Sequence, residues 1–178
     1  MEHEFTLILG GVEDLTREVV DALYEAGCDD GLVGRQFGRV HITFAREAPS
    51  LKDAILSAIG DVTRAGIGAS ILRVDTCDLV TQSDIGRKIG RSRQLVRQYI
   101  TGQRGPGHFP PPACNLTEGK PLWNWCEVAA WLHENNLIRE EELHDAQHVA
   151  TINSVLEVQH QKYLDPQLTE ELLGLLTS

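Results

Sequence analysis

Apolar positions in the first part of the chain fall into short β-type runs that alternate with helical stripes. Phe5 to Leu9 is a β-rich run closed by Gly10-Gly11. Leu15, Val19, Val20, Leu23 and Tyr24 follow at helical spacing, and Gly27 stops them. Asp29-Asp30-Gly31 predicts a turn and Leu32-Val33 a weak strand. Val40, Ile42 and Phe44 then alternate with Arg39, His41 and Thr43 as a half-buried strand. Ser50, with Asp53 at the third position after it, caps a second helix striped by Leu51, Ala54, Ile55, Ala58, Ile59 and Val62. Gly66 ends that helix, and Ala69 to Val74 predicts a last strand. From Leu79 the texture changes to short helices and basic residues, then to the loop signals Gly105-Pro106-Gly107 and Pro110-Pro111-Pro112. Beyond Trp125 the pattern is helical again. Val128, Ala129, Trp131 and Leu132 mark one helix. Glu140 to Tyr163 predicts a long one, with Leu143, Ala146, Val149, Ala150, Ile152, Leu156 and Tyr163 roughly on one face. Asp165-Pro166 breaks it before a leucine-rich helix over Thr169 to Leu176.

The order β-α-β-β-α-β is the split-βαβ pattern, a four-stranded sheet with two helices on one face. It resembles ferredoxin-like and ACT-type folds, which implies a regulatory or assembly role and does not by itself specify function. The expected class is α+β, in three parts: a ferredoxin-like domain over 1–78, a winged helix-turn-helix over 79–137, and a helical dimerisation or partner region over 138–178.

Charge changes this picture. The formal net charge is −10, which taken over the whole chain disfavours nucleic acid as a partner. The distribution is uneven. Residues 1–79 carry 7 basic and 14 acidic side chains, residues 80–123 carry 7 and 2, and residues 124–178 carry 2 and 10. A basic island of net +5 between acidic flanks reads as a dedicated anion-binding segment. Hydrophobic residues make up 42% and charged residues 24%, as in folded soluble proteins. The opening residues Met1 to Glu4 are polar and acidic, and no apolar run approaches the roughly 20 residues of a membrane span. A cytoplasmic protein without membrane contact is the expectation.

Within the island, Thr81 is a good N-cap, with Asp84 near the positive end of the helix dipole. Ile85 and Ile89 share one face. Gly86 offers no bulk where a second helix must cross closely, and Gly90 suits a sharp stop. Ser92 then caps a second helix over Arg93 to Thr101, buried through Val96, Tyr99 and Ile100. Two short helices with glycine at the corner are the helix-turn-helix pattern. Phe109-Pro110-Pro111-Pro112 follows, then a hairpin-like Asn115 to Trp123 turning at Glu118-Gly119-Lys120, then Trp125 to Leu132.

From Leu79 to about Leu132 the chain resembles the winged helix-turn-helix of MerR-like and phage-excisionase-like proteins. That resemblance implies double-stranded DNA as the partner. Arg93, Gln94, Arg97 and Gln98 would face base edges in the major groove, arginine suiting guanine and glutamine suiting adenine. Ser92 and the helix start suit a phosphate. Arg87, Lys88 and Arg91 would touch the backbone, and Arg104 and Lys120 flanking phosphates or a minor groove. The bland alternative is a basic solvated surface on a protein-binding domain. Trp123, Trp125, Trp131, Phe109 and Tyr99 read as core rather than as stacking platforms.

Other chemistry is weakly signalled. Cys28, Cys77, Cys114 and Cys126 contain no Cys-x-x-Cys pair and are expected as free thiols, with zinc on Cys114, Cys126 and a histidine as the alternative. His144 and His148 at i, i+4 could hold a metal, but a solvated acidic helix face accounts for them better. Carboxylate runs such as Glu13-Asp14 and Asp29-Asp30 read as turns and helix starts. Neither a phosphate loop nor a nucleophile elbow occurs, so the chain is expected to be no enzyme and to need no cofactor. The leading role is a transcriptional regulator, acting as a dimeric repressor. The alternatives are an antitoxin that neutralises a partner toxin and regulates itself, or a phage-derived excision factor. A small-molecule effector would suit the first domain. Leu143, Val149, Ile152, Leu156 and Tyr163, then Leu168, Leu172, Leu173, Leu175 and Leu176, are too much apolar surface for a small winged domain to cover, which points to a homodimer. Folding back on the first domain's sheet is the competing arrangement.

Overall fold

In the computed structural model, which describes residues 1–177, the two alternating runs of the first part become neighbouring strands. Strand β1 (Glu2–Gly10) pairs antiparallel with β3 (Arg39–Glu47) in the register Phe5↔Phe44, Leu7↔Ile42 and Leu9↔Val40. Paired residues share a face, so both apolar sets meet on one side of the sheet and all six side chains are buried. Phe5 and Phe44 stack with ring centroids 5.2 Å apart. Strand β2 (Gly31–Gln36) adds to β3 and β4 (Ser70–Val74) to β1, giving an antiparallel sheet in the order β2-β3-β1-β4.

Helices α1 (Arg17–Glu25) and α2 (Leu51–Arg64) bring Leu23, Ala54, Ile55, Ala58 and Val62 to this core. Their starts follow local chemistry. Thr16 accepts a hydrogen bond from the Val19 N–H, so α1 begins at Arg17 rather than at Leu15. Ser50 accepts from the Asp53 N–H and donates to its carboxylate.

Two polar residues complete the sheet's packing. Arg46, on the buried face of β3, has its side chain 9% exposed. All five of its N–H groups are used: two on Asp30 at 2.7 and 2.8 Å, and one each on Asp61 at 2.6 Å, Ser57 at 3.0 Å and the Gly27 carbonyl at 2.8 Å. The guanidinium also lies 4.9 Å from the Phe44 ring centroid. Burial, with Asp61 nearby, pushes the neighbouring Cys28 thiol up to about 11, so it is protonated at neutral pH. Asn153, 4% exposed, closes the outer edge of β4. Its amide accepts from the Val74 N–H at 2.8 Å and donates to the Val74 carbonyl at 3.2 Å, standing in for a missing strand.

Asn153 belongs to α6 (Glu140–Leu164), and the chain divides along that helix. Residues 1–76 group with those from 151 on; residues 77–150 form a second unit. The second unit holds β5 (Leu79–Val80), α3 (Gln82–Lys88), α4 (Arg93–Ile100), β6 (Trp123–Asn124), α5 (Trp125–Glu134) and the start of α6. Its core is Val80, Ile85, Val96, Tyr99, Trp123, Val128, Trp131 and Leu132. The hairpin-like segment expected over Asn115 to Trp123 is reduced to a turn over 116–119 closed by one antiparallel bridge. Asn115 sits at φ +57 and Pro121 has no N–H to donate, so pairing is limited to a single bridge, Cys114↔Leu122. Trp123–Asn124 pairs instead with Leu79–Val80.

The final helix, α7 (Pro166–Leu176), starts three residues earlier than its leucine pattern suggests. Asp165 caps it by accepting from the Leu168 N–H, and proline is favoured in the first helical turn, so Asp165-Pro166 both ends α6 and opens α7. On α6, Ala146 and Val149 are buried and Ile152 and Leu156 half-buried, whereas Tyr163 is 83% exposed. Among the described residues no helix is long and apolar enough to cross a membrane.

Arg46→Met leaves Asp30 and Asp61 without their shared cation in a mostly buried setting. It should cost roughly 3–5 kcal/mol in a urea unfolding titration. A loss below about 1 kcal/mol, the value of an exposed pair, would contradict the role assigned to this network.

Candidate nucleic-acid interface

Helices α3 and α4 are held by their caps and by one close backbone approach. Thr81 and Asp84 form a reciprocal capping box: the Asp84 N–H donates to the Thr81 hydroxyl, and the Thr81 N–H and hydroxyl donate to the Asp84 carboxylate at 2.9 and 2.6 Å. The Thr81 hydroxyl, its backbone N–H and then the Arg87 guanidinium hold the Asp84 carboxyl below the usual range. Ser92 caps α4 by accepting from the Leu95 N–H at 3.2 Å. Between the helices, Gly90 turns the chain at φ +62. The Arg91 N–H then returns to the Gly86 carbonyl at 2.8 Å. A Cβ on Gly86 would lie 2.7 Å from the Arg91 carbonyl oxygen, so the corner closes only without a side chain there.

The aromatic residues anchor the loop that follows α4. The Trp131 indole N–H donates to the Gly107 carbonyl at 2.9 Å and that of Trp123 to the Pro110 carbonyl at 3.1 Å. Tyr99 and Phe109 pack on Trp131 at 5.3 and 5.0 Å between centroids. These rings are occupied in the core, as their apolar neighbours in sequence suggest.

With Val96 and Tyr99 turned inward, α4 exposes Arg93, Gln94 and Arg97 and half-exposes Gln98. These four line an open concavity of about 880 Å³ together with Gln82, Thr101 and Gln103. A second concavity, of about 460 Å³, includes Gln82, Ser83, Arg93, Asn115 and Lys120 in its lining. Neither lining contains a carboxylate. Among the described residues Arg93 and Arg97 have no ion-pair partner, although like charges at i, i+4 destabilise a helix. An anion against this face would relieve that repulsion.

The other basic candidates lie outside both linings. Arg87 pairs with Asp84 on its own helix. The Lys88 ammonium sits 4.9 Å from the Trp125 ring centroid. Arg91 and Ser92 are exposed at the corner, and Arg104 is exposed in the loop after α4, its N–H bonded to the Gln98 carbonyl. The structure adds Gln82 and Gln103, which flank α4 from either side. No charge or periodicity marks them; only the return of the chain around α4 brings them in. On α6, the His144 and His148 rings are 6.1 Å apart and His144 lies 3.8 Å from Glu140. No group of three metal-ligating side chains occurs among the described residues.

Comparison of the chain with protein-family models, with curated proteins and with solved structures gives no match.

Gly86→Ala should destabilise the chain by roughly 1–3 kcal/mol, the usual cost of overpacking a closed contact. Thermal unfolding of the two proteins side by side measures it. Equal midpoints would show that the corner has slack and does not orient α4.

Proposed function

We propose that the chain is a sequence-specific double-stranded DNA-binding protein that reads its site with α4 and regulates transcription, by repression. One observation carries the reading. The surface of α4 and its surround is a concavity of guanidinium, amide and hydroxyl groups without a carboxylate, in a chain whose net charge is −10. Those groups suit base edges in a major groove. Arginine can donate two hydrogen bonds to guanine O6 and N7, and glutamine can donate to and accept from adenine N7 and N6, each pair discriminating by about 1–3 kcal/mol. Arg93 and Lys120, sharing the second concavity with Ser83 and Asn115, suit phosphate oxygens beside the groove.

The finer fold readings agree with this function. The strand order β2-β3-β1-β4 with α1 and α2 supports a ferredoxin-like first domain. The capped α3–α4 corner, the two-stranded β5/β6 pair and the loop closed by Cys114↔Leu122 support a winged helix-turn-helix with a short, irregular wing. The acidic segments outside the basic island would repel DNA and so limit contact to this face.

Selection of bound duplexes from a random pool by the full chain tests the reading. Anisotropy titrations on the enriched site then separate the roles. Arg97→Ala and Gln94→Ala should each cost about 1–3 kcal/mol and relax the preference at one base pair. Arg87→Ala, which removes a cation already paired with Asp84, should weaken all sequences alike and by less. Affinity should fall steeply with salt, by about 0.9 logarithmic units per phosphate for each tenfold increase. A pool without enrichment, or Arg97→Ala and Arg87→Ala proteins that behave the same, would count against DNA reading by α4.

A further inference from the structure

Helix α4 repeats one four-residue pattern of arginine, glutamine and two apolar residues. Arg93-Gln94-Leu95-Val96 is followed by Arg97-Gln98-Tyr99-Ile100. Folding accounts for the apolar half of each repeat. Val96 and Tyr99 are buried, and Leu95 and Ile100 pack half-buried against the same core. Folding does not account for the polar half. Arg93, Gln94 and Arg97 are exposed and Gln98 is half-exposed, at positions where any good helix former would serve. Arg93 stands in the first turn, at the positive end of the helix dipole, with no acidic residue there to offset it. Arg97 places a second positive charge one turn further on. Both Arg-Gln couples line one concavity that contains no carboxylate. A polar couple that the helix does not need, presented twice on one surface, suits a ligand that itself repeats.

We propose that the duplex read by α4 carries the same guanine–adenine couple twice, offset by roughly one or two base pairs. The inference rests on the DNA-binding reading of α4 and names the class of sequence that this helix takes. Helix geometry sets the offset. Equivalent side chains of the two repeats are four residues apart, about 6 Å along the axis and about 40° around it. Base pairs follow one another every 3.4 Å or about that, so the second couple stands one or two steps from the first according to the tilt of the helix in the groove. Within a couple, arginine and glutamine are separated by about 100° around the helix and so reach different bases. The two side chains are not interchangeable. The guanidinium donates to guanine O6 and N7 but has no acceptor for the adenine N6 amine. The carboxamide donates to adenine N7 and accepts from N6, whereas on guanine its oxygen would face the O6 acceptor. Each couple therefore distinguishes the order of its two bases, and α4 applies that test twice.

Selection of duplexes by the full chain and by an exchanged protein, Arg97→Gln with Gln98→Arg, decides it. The exchange conserves composition and charge, and both residue types are good helix formers, so the thermal midpoint should not change. The wild-type pool should enrich a motif in which one couple recurs at the stated offset. The exchanged protein should keep the first couple and select guanine and adenine traded in the second. In anisotropy titrations it should bind the wild-type site at least about 30-fold more weakly, for two lost bidentate pairs, and recover most of that loss on the traded duplex. Arg93→Gln with Gln94→Arg should trade the first couple instead, which provides the same test at the other end of the helix. A wild-type pool without enrichment would overturn the DNA-binding reading and this inference with it. An enriched motif without recurrence, exchanged proteins that select the wild-type motif, or a loss that the traded duplex does not restore would overturn the inference alone.

Discussion

A side chain is missing where the two helices of the second unit meet, and the orientation of α4 follows from that. The position a Cβ would take on Gly86 is 2.7 Å from the Arg91 carbonyl oxygen, so the four-residue corner can fold against α3 only over glycine. Once it does, the Arg91 N–H bonds to the Gly86 carbonyl, and Ser92 is placed to cap α4. Ile85 and Val96, both fully buried, then fix the rotation of the two helices about their axes. That rotation turns Arg93, Gln94 and Arg97 outward together.

The first unit is specified by a different kind of constraint, the satisfaction of buried polar groups. Arg46 has no lone N–H: Asp30, Asp61, Ser57 and the Gly27 carbonyl take all five. These partners come from the segment before β2, from α2 and from the end of α1, so one guanidinium ties the elements of the core to each other. A hydrophobic residue could fill the volume, but it would not specify which turn of α2 faces β3. Asn153 adds a second device of this type. By occupying the outer edge of β4 with an amide, it keeps that edge from pairing with another strand. The β2 edge is not closed in this way, although Leu32 is 76% exposed there.

Most of the elements are legible in the sequence because their signals are local. Helix caps at Ser50, Thr81 and Ser92 act over three residues, and the alternation of β1 and β3 is a period of two. Gly86 and Gly90 announce the corner for the same reason. What is not legible depends on distant residues meeting. Arg46 continues a strand whose visible alternation ends at Phe44, and nothing near it in sequence shows that Asp30 and Asp61 will enclose it. Asn153 interrupts an apolar stripe as an ordinary polar residue would. The segment from Asn115 to Trp123 is less regular than its pattern suggests because Glu118-Gly119-Lys120 has turn chemistry, while Asn115 and Pro121, which flank the single bridge, are compatible with a loop of any shape. Within the basic island, net charge does not show which members face the concavity. Arg87 and Lys88 count equally with Arg93 and Arg97, yet the first two are engaged by Asp84 and Trp125 and only the latter face the concavity.

The central question is where a duplex would contact this chain. Amide hydrogen exchange of the full protein, with and without a duplex enriched by its own selection, reads that directly. Binding through α4 requires slowed exchange confined to the α3–α4 corner, α4 and the loop through Gln103, with a smaller effect around Lys120, while β1–β4 and α7 remain unchanged. Protection centred on the β2 edge or on α6, or no change along α4 at duplex concentrations that saturate the anisotropy signal, would contradict it.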